Sequence, residues 1–416
     1  MSKELNGVEY LKKKLELKRT RVLTRYTFYE QKQRARDLGI STPEGLEWFG
    51  SVNGWATKAV DSLADRLQFD KFENDNFEFA DMFNHNNPDI LFDDMILSAL
   101  ISSCSFVLVT KGELVGKGDN EKQQIRMQTI DGANATGIID DFTKLLVEGY
   151  AVLDRNDKGT VTQYAYCTPG RTEVYEVGEA DPIAVETFEG DYCALVPIIY
   201  RPDARRPFGH SRISRACMGY ITSAMRTIKR SEISAEFYSY PQKYATGLAN
   251  DAEQLNSWRA SMSALLTFTK DQDGDRPTLG QFQAASMAPH IEQLKGTASM
   301  FAGETGLTLD DLGFVTSNPS SAEAIKAGHE NLRLMAAKAQ RCFSVGIKNV
   351  GYIGACLRDN MAYRRDELFE TQVTWRPTFE PDAAMLSQIG DGVMKLNQAI
   401  DGYIDGDKMR RLTGIE

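Results

Sequence analysis

Three pairs of adjacent carboxylates are the residues in this sequence whose type could support nuclease chemistry. They are Asp93-Asp94, Asp140-Asp141 and Asp310-Asp311. A nuclease would need such carboxylates to hold two magnesium ions, because magnesium prefers oxygen ligands. Neighbouring residues of a helix or strand point in different directions, so surface charge or charge at a helix end is the favoured interpretation. The sequence therefore predicts no two-metal site.

A glycine-rich segment could in principle bind nucleotide phosphates. It reads Gly112-Glu113-Leu114-Val115-Gly116-Lys117-Gly118. A Walker loop needs about four residues between its first two glycines, and this segment has three. Gly118 also stands where the magnesium-binding hydroxyl belongs. We therefore interpret the segment as the turn of a β-hairpin.

The histidines and cysteines do not have the spacing of a metal centre. The four histidines are scattered along the chain. The six cysteines contain no CxxC pair and lie in apolar patterns, so we interpret them as reduced and buried. We expect no metal, no cofactor and no catalytic activity. The residues concerned are His85, His210, His290 and His329, and Cys104, Cys167, Cys193, Cys217, Cys342 and Cys356.

A long helix with one basic face is predicted after the turn at Arg206-Pro207-Phe208-Gly209. The apolar spacing predicts a helix over residues 211–240, which Pro241 ends. Solvent, or acids of a neighbouring subunit, explain the basic face most simply, and transient contact with DNA phosphates is the functional alternative. The basic residues are Arg212, Arg215, Arg226, Lys229 and Arg230.

A small module and further helices are predicted beyond this helix. Strands at 243–248 and 278–283 flank an amphipathic helix near 251–266, and such a module buries too little apolar surface to be stable alone. We expect its strands to find partners in another subunit.

A helix that starts near Pro289 then leads to a loop over residues 304–319. An S-x-x-E capping box at Ser320 and Glu323 predicts one long helix to residue 360, whose apolar stripe includes Ile325 and whose glycines indicate bends or close helix contacts.

The region before residue 205 is predicted to combine helices with antiparallel strands. Helices are expected over 8–38, 47–67 and 87–101, and strands over 104–110, 145–154, 160–167, 171–177 and 194–200. A short helix is expected near the end, over 382–400. This pattern indicates the α+β class.

Composition agrees with a globular protein that does not wrap DNA. The chain has 416 residues, of which 42% are hydrophobic and 25% charged, and its net charge is −10. A protein that neutralises phosphates needs a basic footprint, whereas an acidic or mixed wall would let DNA slide. No apolar run long enough for a membrane span occurs, and the N-terminus lacks a secretory core, so a cytosolic product is expected.

Several ordered fragments resemble the portal proteins of long-tailed bacteriophages. Each fragment is short, but their order and spacing over residues 145–357 make the combination specific. The fragments are Arg206-Pro207-Phe208-Gly209-His210-Ser211-Arg212-Ile213, Glu236-Phe237-Tyr238 with Pro241-Gln242-Lys243-Tyr244, Gly280-Gln281-Phe282 with Pro289-His290-Ile291, Phe301-Ala302-Gly303-Glu304-Thr305-Gly306-Leu307, and Asn318-Pro319-Ser320-Ser321-Ala322-Glu323.

The resemblance implies a protomer with an α/β wing, long stem helices, a small clip and a helical crown. The wing would be residues 1–204, the stem helices 205–241 and 288–303, and the clip 242–287. A tunnel loop would occupy 304–319, a long wing and crown helix 320–360, and a last wing strand and short crown helix 361–416, with a longer crown shortened or absent. The implied channel residues are Glu304, Asp310, Asp311, Phe314, Val315, Thr316, Ser317 and Asn318, and the implied clip interface is Lys243, Tyr244, Trp258 and Phe282.

The same resemblance implies partners and a place in the virion. Portal proteins form a ring, usually of about twelve subunits, at one capsid vertex, through which double-stranded DNA enters and leaves. The expected partners are the large terminase subunit, the head-tail adaptor, and the major capsid and scaffolding proteins, with no membrane. Assembly is expected in the host cytoplasm, and the final location at the head-tail junction.

Two other interpretations remain open from the sequence. One is a different head or tail protein that forms rings or shells, which subunit stoichiometry would distinguish. The other is a DNA-packaging nuclease or ATPase, which an assay for magnesium-dependent DNA cleavage or ATP hydrolysis would detect.

Overall fold

The protein is a mixed α/β structure in which every strand pairing is antiparallel within the described residues. The computed structural model describes residues 6–35, 48–115, 122–239, 243–246, 278–281, 286–315, 322–378 and 383–413. Within these ranges, helices of the length and apolarity that a bilayer crossing requires are not found. The coarse α+β prediction is therefore confirmed.

A five-stranded sheet forms one layer of the N-terminal half. Its order follows the chain, so each strand pairs with the next. The sequence predicted the three central strands and missed both edge strands. The strands are β4 (Ala135–Ile139), β5 (Leu146–Arg155), β6 (Val161–Thr168), β7 (Arg171–Glu176) and β8 (Ala184–Thr187).

A three-stranded sheet lies beside it, with β2 in the centre. Strand β2 (Cys104–Val115) pairs with β3 (Lys122–Ile130) on one side and with β9 (Leu195–Ile199) on the other. Val115 lies opposite Lys122, so β2 and β3 form the predicted hairpin, although Gly112 to Val115 belong to strand β2 and not to the turn. Residues 116–121 of its turn lie outside the described ranges.

Five helices, together with two more described below, and the three-stranded sheet enclose the largest apolar core. Short strand β1 (Phe69–Glu73) pairs with β12 (Gln372–Trp375), which lies almost at the other end of the chain. Side chains from all these helices and from one face of the three-stranded sheet contribute to one buried cluster, whereas the other face of that sheet belongs to a second cluster. The helices are α1 (Val8–Tyr29), α2 (Trp55–Ala64), α3 (Phe79–Asn84), α4 (Pro88–Ser102) and α8 (Glu330–Asp359).

Helix α8 lies against the core through positions that only glycine can occupy. A Cβ atom on Gly346 would lie 2.8 Å from Cδ1 of Ile198, and one on Gly351 would lie 2.7 Å from the ring of Phe79. Both distances are shorter than real Cβ contacts, so the missing side chains allow the helix to approach β9 and α3. The prediction of close helix contacts at these glycines is confirmed.

Several predicted helix boundaries need correction. Helix α1 ends at Tyr29 and α2 begins at Trp55, so both are shorter than predicted. The single helix predicted over 320–360 is two helices, α7 (Ala322–Gly328) and α8, because the backbone of His329 is not helical. Ile325, predicted on the apolar stripe, is exposed on α7. The capping-box side chains of Ser320 and Glu323 lie outside the described part of the chain.

The C-terminal residues form a helical hairpin. Helix α9 (Ala383–Ala399) matches the predicted helix closely, and α10 (Gly406–Thr413) follows it. The side chain of Asn397 bonds both the backbone N–H and the carbonyl of Ile404, at 2.7 and 2.8 Å, and so fixes the connection.

Candidate functional site

Two long helices, α5 (Arg215–Ser239) and α6 (Ala288–Thr305), pack side by side and lead to a small separate sheet. Cys217, Ile221 and Ala224 are buried on α5, and Ala298 and Phe301 are buried on α6. A proline in the first turn of α6, as predicted, fits a position where its missing N–H is not needed. The two helices therefore form one antiparallel unit that rests on the core at one end.

The predicted module between these helices contains a two-stranded sheet. Strand β10 (Lys243–Thr246) pairs with β11 (Thr278–Gln281), with Lys243 opposite Gln281 and Thr246 opposite Thr278. The two strands are therefore not isolated within one chain, whereas completion of their sheet by another subunit stays a prediction. They are separated by 31 residues, numbers 247 to 277, and pairing over such a distance is not visible in local patterns.

The predicted interface residues of this module are only partly described. Lys243 and Tyr244 lie in β10, where the backbone alone is described. Trp258 and Phe282 lie outside the described residues. Their roles stay predictions.

Arg212 is not on the basic face to which the sequence assigned it. It precedes α5, and its residue surface is only 6% exposed. Its guanidinium donates hydrogen bonds to the backbone carbonyls of Ala59 and Thr305. The prediction was wrong because it assumed a helix from residue 211. The helix begins at Arg215, so the direction of the Arg212 side chain is not set by the helical period.

The other four basic residues lie along α5 as predicted. Arg215 is exposed, whereas Arg226, Lys229 and Arg230 are half-buried. The Nε of Arg226 bonds the carbonyl of Thr222 at 3.3 Å. Contact of this row with DNA stays a prediction.

Glu304 belongs to helix α6 and not to the loop predicted to start there. Helix α6 continues to Thr305 and ends at Gly306, whose φ of 69° is left-handed. The hydroxyl of Ser214, just before α5, donates a 2.8 Å hydrogen bond to Oε1 of Glu304. Glu304 therefore ties the end of α6 to the start of α5.

The described part of the predicted loop packs on the core. Leu307 is buried, and the ring of Phe314 lies 6.5 Å from that of Trp55, which also contacts Phe301. The aromatic anchor Trp55 was not predicted for this role, because it is far from the loop in sequence. Among the predicted channel residues of this loop, Asp310 and Val315 are exposed, and Thr316, Ser317 and Asn318 lie outside the described ranges.

Asp311 points inward, unlike its neighbour Asp310. Its Oδ2 atom accepts hydrogen bonds from the N–H and the hydroxyl of Thr308, both at 2.9 Å, and lies 3.7 Å from Nδ1 of His329. These bonds close a 3₁₀ turn over Asp310–Leu312. The pair Asp310-Asp311 therefore divides into one exposed and one structural carboxylate, as expected for adjacent residues.

The cysteines are free, and five of the six are buried. Burial raises the pKa of the Cys104 and Cys167 thiols to about 12. Burial also raises the pKa of Cys193, Cys217 and Cys356. Among the described residues, no three His, Cys, Asp or Glu side chains converge as metal ligands do.

Thiol labelling should separate Cys342 from the other cysteines. Only the thiolate reacts readily, and Cys342 is the one half-buried cysteine among the six. We expect one rapid equivalent with Ellman's reagent at about pH 8 in the folded single chain, and the remainder only in denaturant. The Cys342→Ser variant should lose the rapid equivalent. Rapid labelling of the Cys342→Ser variant would contradict the burial of the other five cysteines.

Two curated relatives cover most of the chain. The portal protein of Mycobacterium phage L5 is 24% identical over 423 residues, covering 92% of this chain and 83% of the relative. That of Mycobacterium phage D29 is 24% identical over 415 residues, covering 93% and 81%. The resemblance to bacteriophage portal proteins is confirmed.

The chain is also similar to two solved structures, but at lower sequence identity than to the two portal proteins. The neck of a native gene transfer agent particle, computed with C12 symmetry, aligns with a TM-score of 0.47 and 13% identity over 88% of this chain and 90% of that chain. The virion of the native gene transfer agent aligns with a TM-score of 0.43 and 13% identity, covering 95% and 99%. No protein-family model matches the chain.

Proposed function

We propose that this chain is a portal subunit, which assembles with identical copies into a ring that conducts double-stranded DNA. The observation that carries the proposal is the similarity to two phage portal proteins over more than nine-tenths of the chain. In this proposal the ring has about twelve subunits and occupies one vertex of the phage head. Its role is structural rather than catalytic.

The proposed parts of the protomer correspond to the described elements. The sheets and helices before residue 205 form the wing, α5 and α6 form the stem, and the β10–β11 pair belongs to the clip. Helix α8 joins the wing to the crown, and α9 and α10 form the crown. The loop after α6 lines the channel, with Asp310 and Val315 among its exposed described positions. The antiparallel stem pair supports this arrangement because it carries the clip away from the core.

The charge of the chain supports passage of DNA rather than tight binding. A net charge of −10 in each copy gives a ring that repels phosphate on average, so a duplex inside it would move without sticking. The basic row on α5, from Arg215 to Arg230, would offer local and transient phosphate contacts. In this proposal the large terminase subunit docks during packaging and the head-tail adaptor docks later.

The proposed location follows from these partners. The ring assembles in the host cytoplasm with the major capsid and scaffolding proteins, and it remains in the virion at the head-tail junction. The clip, including Tyr244 and Phe282, would contact the terminase and the adaptor.

Electron microscopy of the purified full chain tests the proposal directly. We expect top views of a closed ring with a central opening wide enough for duplex DNA, and a single subunit count near twelve. Native mass spectrometry of the same sample gives the count independently. A chain that stays monomeric over the full accessible concentration range would overturn the proposal.

Reversing one exposed charge in the proposed tunnel loop should impair packaging. Asp310→Lys replaces repulsion of phosphate with attraction at every subunit, while the inward-facing Asp311 is left intact. We expect the packaging rate into assembled heads to fall about 10-fold, with partial recovery at high salt. Asp157→Lys makes the same charge change on the remote β5–β6 turn and should leave packaging unchanged. Equal packaging rates for Asp310→Lys and Asp157→Lys would show that Asp310 does not line the channel.

A further inference from the structure

A cavity of about 380 Å³ lies between helix α8 and the end of strand β9. Pro197 and Ile199 line one wall, and Cys342 and Val345 line the other. The side chain of Val345 is 43% exposed, which is unusual for an aliphatic residue beside an apolar hollow. The cavity is therefore an apolar recess that the chain leaves open.

Positive charge surrounds this recess. Lys338 and Arg341 precede Val345 on the same side of α8, and Lys144 reaches the recess from the β4–β5 turn. Lys144 lies 3.9 Å from Asp141, which points to solvent. Among the described residues that line the recess, none is a carboxylate. An apolar group accompanied by negative charge would complement this surface.

The connection between β7 and β8, residues 176–185, has the complementary chemistry. The aliphatic side chains of Val177, Ile183 and Val185 are about half exposed. Three carboxylates, Glu176, Glu179 and Asp181, are exposed among them. We call this segment the acidic hairpin.

The acidic hairpin is held in a defined shape by backbone hydrogen bonds. The N–H of Ile183 bonds the carbonyl of Val174, and the N–H of Val177 bonds that of Thr162, both at 2.8 Å. Because the backbone is already ordered, docking would cost little conformational entropy.

The recess and the acidic hairpin lie at diagonally opposite corners of the five-stranded sheet. The β4–β5 turn, which carries Lys144, is at one edge and at the end where β5 begins. The acidic hairpin is at the other edge and at the end where β7 finishes. At about 4.8 Å between neighbouring strands, the two edges are roughly 19 Å apart. One copy therefore cannot join these surfaces to each other.

We propose that the recess of one subunit receives the acidic hairpin of the next copy of this chain. The two surfaces differ and lie on opposite sides of the protomer, so the contact is head-to-tail, the kind of contact whose repetition gives a ring when the rotation between copies closes. This inference rests on the proposed function and names the surfaces that would join its subunits. Aliphatic side chains fill the recess, and the carboxylates face Lys144, Lys338 and Arg341.

Charge reversal on each surface, followed by a charge swap, tests the contact. Lys338→Glu with Arg341→Glu, or Glu179→Lys with Asp181→Lys, should each raise the subunit concentration for half-maximal assembly at least about 10-fold in light-scattering chromatography. Combining the four substitutions should restore assembly, since the charges are complementary again. Lys71→Glu, an exposed position on β1, is the control with the same type of charge change. Thermal melts confirm that each variant is folded.

The outcomes separate this inference from the proposed function. Wild-type rings together with unchanged assembly of both reversed variants would overturn the contact and leave the portal proposal standing. Absence of wild-type rings at any concentration would overturn both. Weakened assembly that the combined variant does not restore would also count against direct pairing of the two surfaces.

Cross-linking gives a second readout that does not depend on charge. In a Cys342→Ser background, Ile183→Cys and Val345→Cys in the same chain should give a ladder of covalent oligomers with a short bismaleimide, because each copy carries both halves of the contact. Either cysteine alone should give no ladder. A product that stops at dimers would indicate a two-fold contact and would overturn the head-to-tail arrangement.

Discussion

Replacing Gly209 with alanine is expected to destabilise the protein by about 4 kcal/mol, a large part of the stability of an ordinary domain. The φ angle of Gly209 is +74°, which L side chains rarely adopt. An added Cβ would also lie 2.0 Å from the backbone carbonyl oxygen of Tyr200, and that oxygen accepts a hydrogen bond from the N–H of His210. Both the strained angle and the clash with fixed backbone contribute to the loss.

The position matters because it joins two parts of the fold. Gly209 lies in the segment between β9 and α5, and Tyr200, which it touches, is fully buried against the core. Displacing this contact would shift the start of α5 relative to the three-stranded sheet. The glycine also lies inside one of the fragments that resemble portal proteins, so the physical requirement and the resemblance coincide at this residue.

Gly159→Ala provides the matched control for Gly209→Ala. Gly159 has a φ of +76°, but an added Cβ there would have no neighbour within 4 Å. We expect this variant to lose about 1–2 kcal/mol from the angle alone. Urea denaturation at one fixed protein concentration measures both variants, since assembly would otherwise change the apparent stability. A Gly209→Ala variant no less stable than Gly159→Ala would contradict the clash.

Elements with strong local patterns were predicted from the sequence. Helices α5 and α9 and strands β5 to β7 have apolar periodicity over enough residues to fix their type. Helix α4 is instead a nearly continuous apolar run, which its length and the proline in its first turn identify as helical. The close contacts at Gly346 and Gly351 were also predictable, because glycines inside a long apolar helix need a packing reason.

Elements that depend on distant residues were missed. Strand β1 was missed because it is fixed by β12, which begins only at Gln372. Strands β10 and β11 were predicted from their local patterns, but their pairing with each other has no local signal. Edge strands β4 and β8 are four or five residues long and lack the alternation that identifies a half-buried strand. Contacts with residues distant in the sequence determine these strands and their pairings.

The candidate site shows the same division. The row from Arg215 to Arg230 follows the helical period and was located correctly, whereas Arg212, just before the helix, was assigned to a surface although it is buried. The loop after α6 was located by its composition, but its attachment to Trp55 through Phe314 depends on a residue more than two hundred positions earlier. Sequence patterns describe helix faces well and loop packing poorly.

Replacing Arg212 with alanine is the second change for which we expect a large loss, about 4 kcal/mol. The guanidinium bonds the carbonyl of Ala59 in α2 and that of Thr305 at the end of α6, and it contacts the sulfur of Met335 in α8. Alanine would leave a cavity and two buried carbonyls without these donors. Lysine would not replace the planar group that spans these three helices, so we expect Arg212→Lys to be destabilised as well.

Two further substitutions separate the causes of the loss at Arg212. Arg215→Ala, in the first turn of α5 and exposed, should change stability by less than about 0.5 kcal/mol. Arg212→Met keeps most of the side-chain volume but donates no hydrogen bond. Its difference in unfolding free energy from wild type therefore measures the loss of the hydrogen bonds to the carbonyls, and its difference from Arg212→Ala measures the cost of the cavity. Burial lowers the pKa of the Arg212 guanidinium, which shows that its charge is costly in this place. If Arg212→Met were as stable as wild type, the free energy saved by not burying a charge would equal the free energy lost with the hydrogen bonds. Arg212 would then specify the helix arrangement without stabilising it.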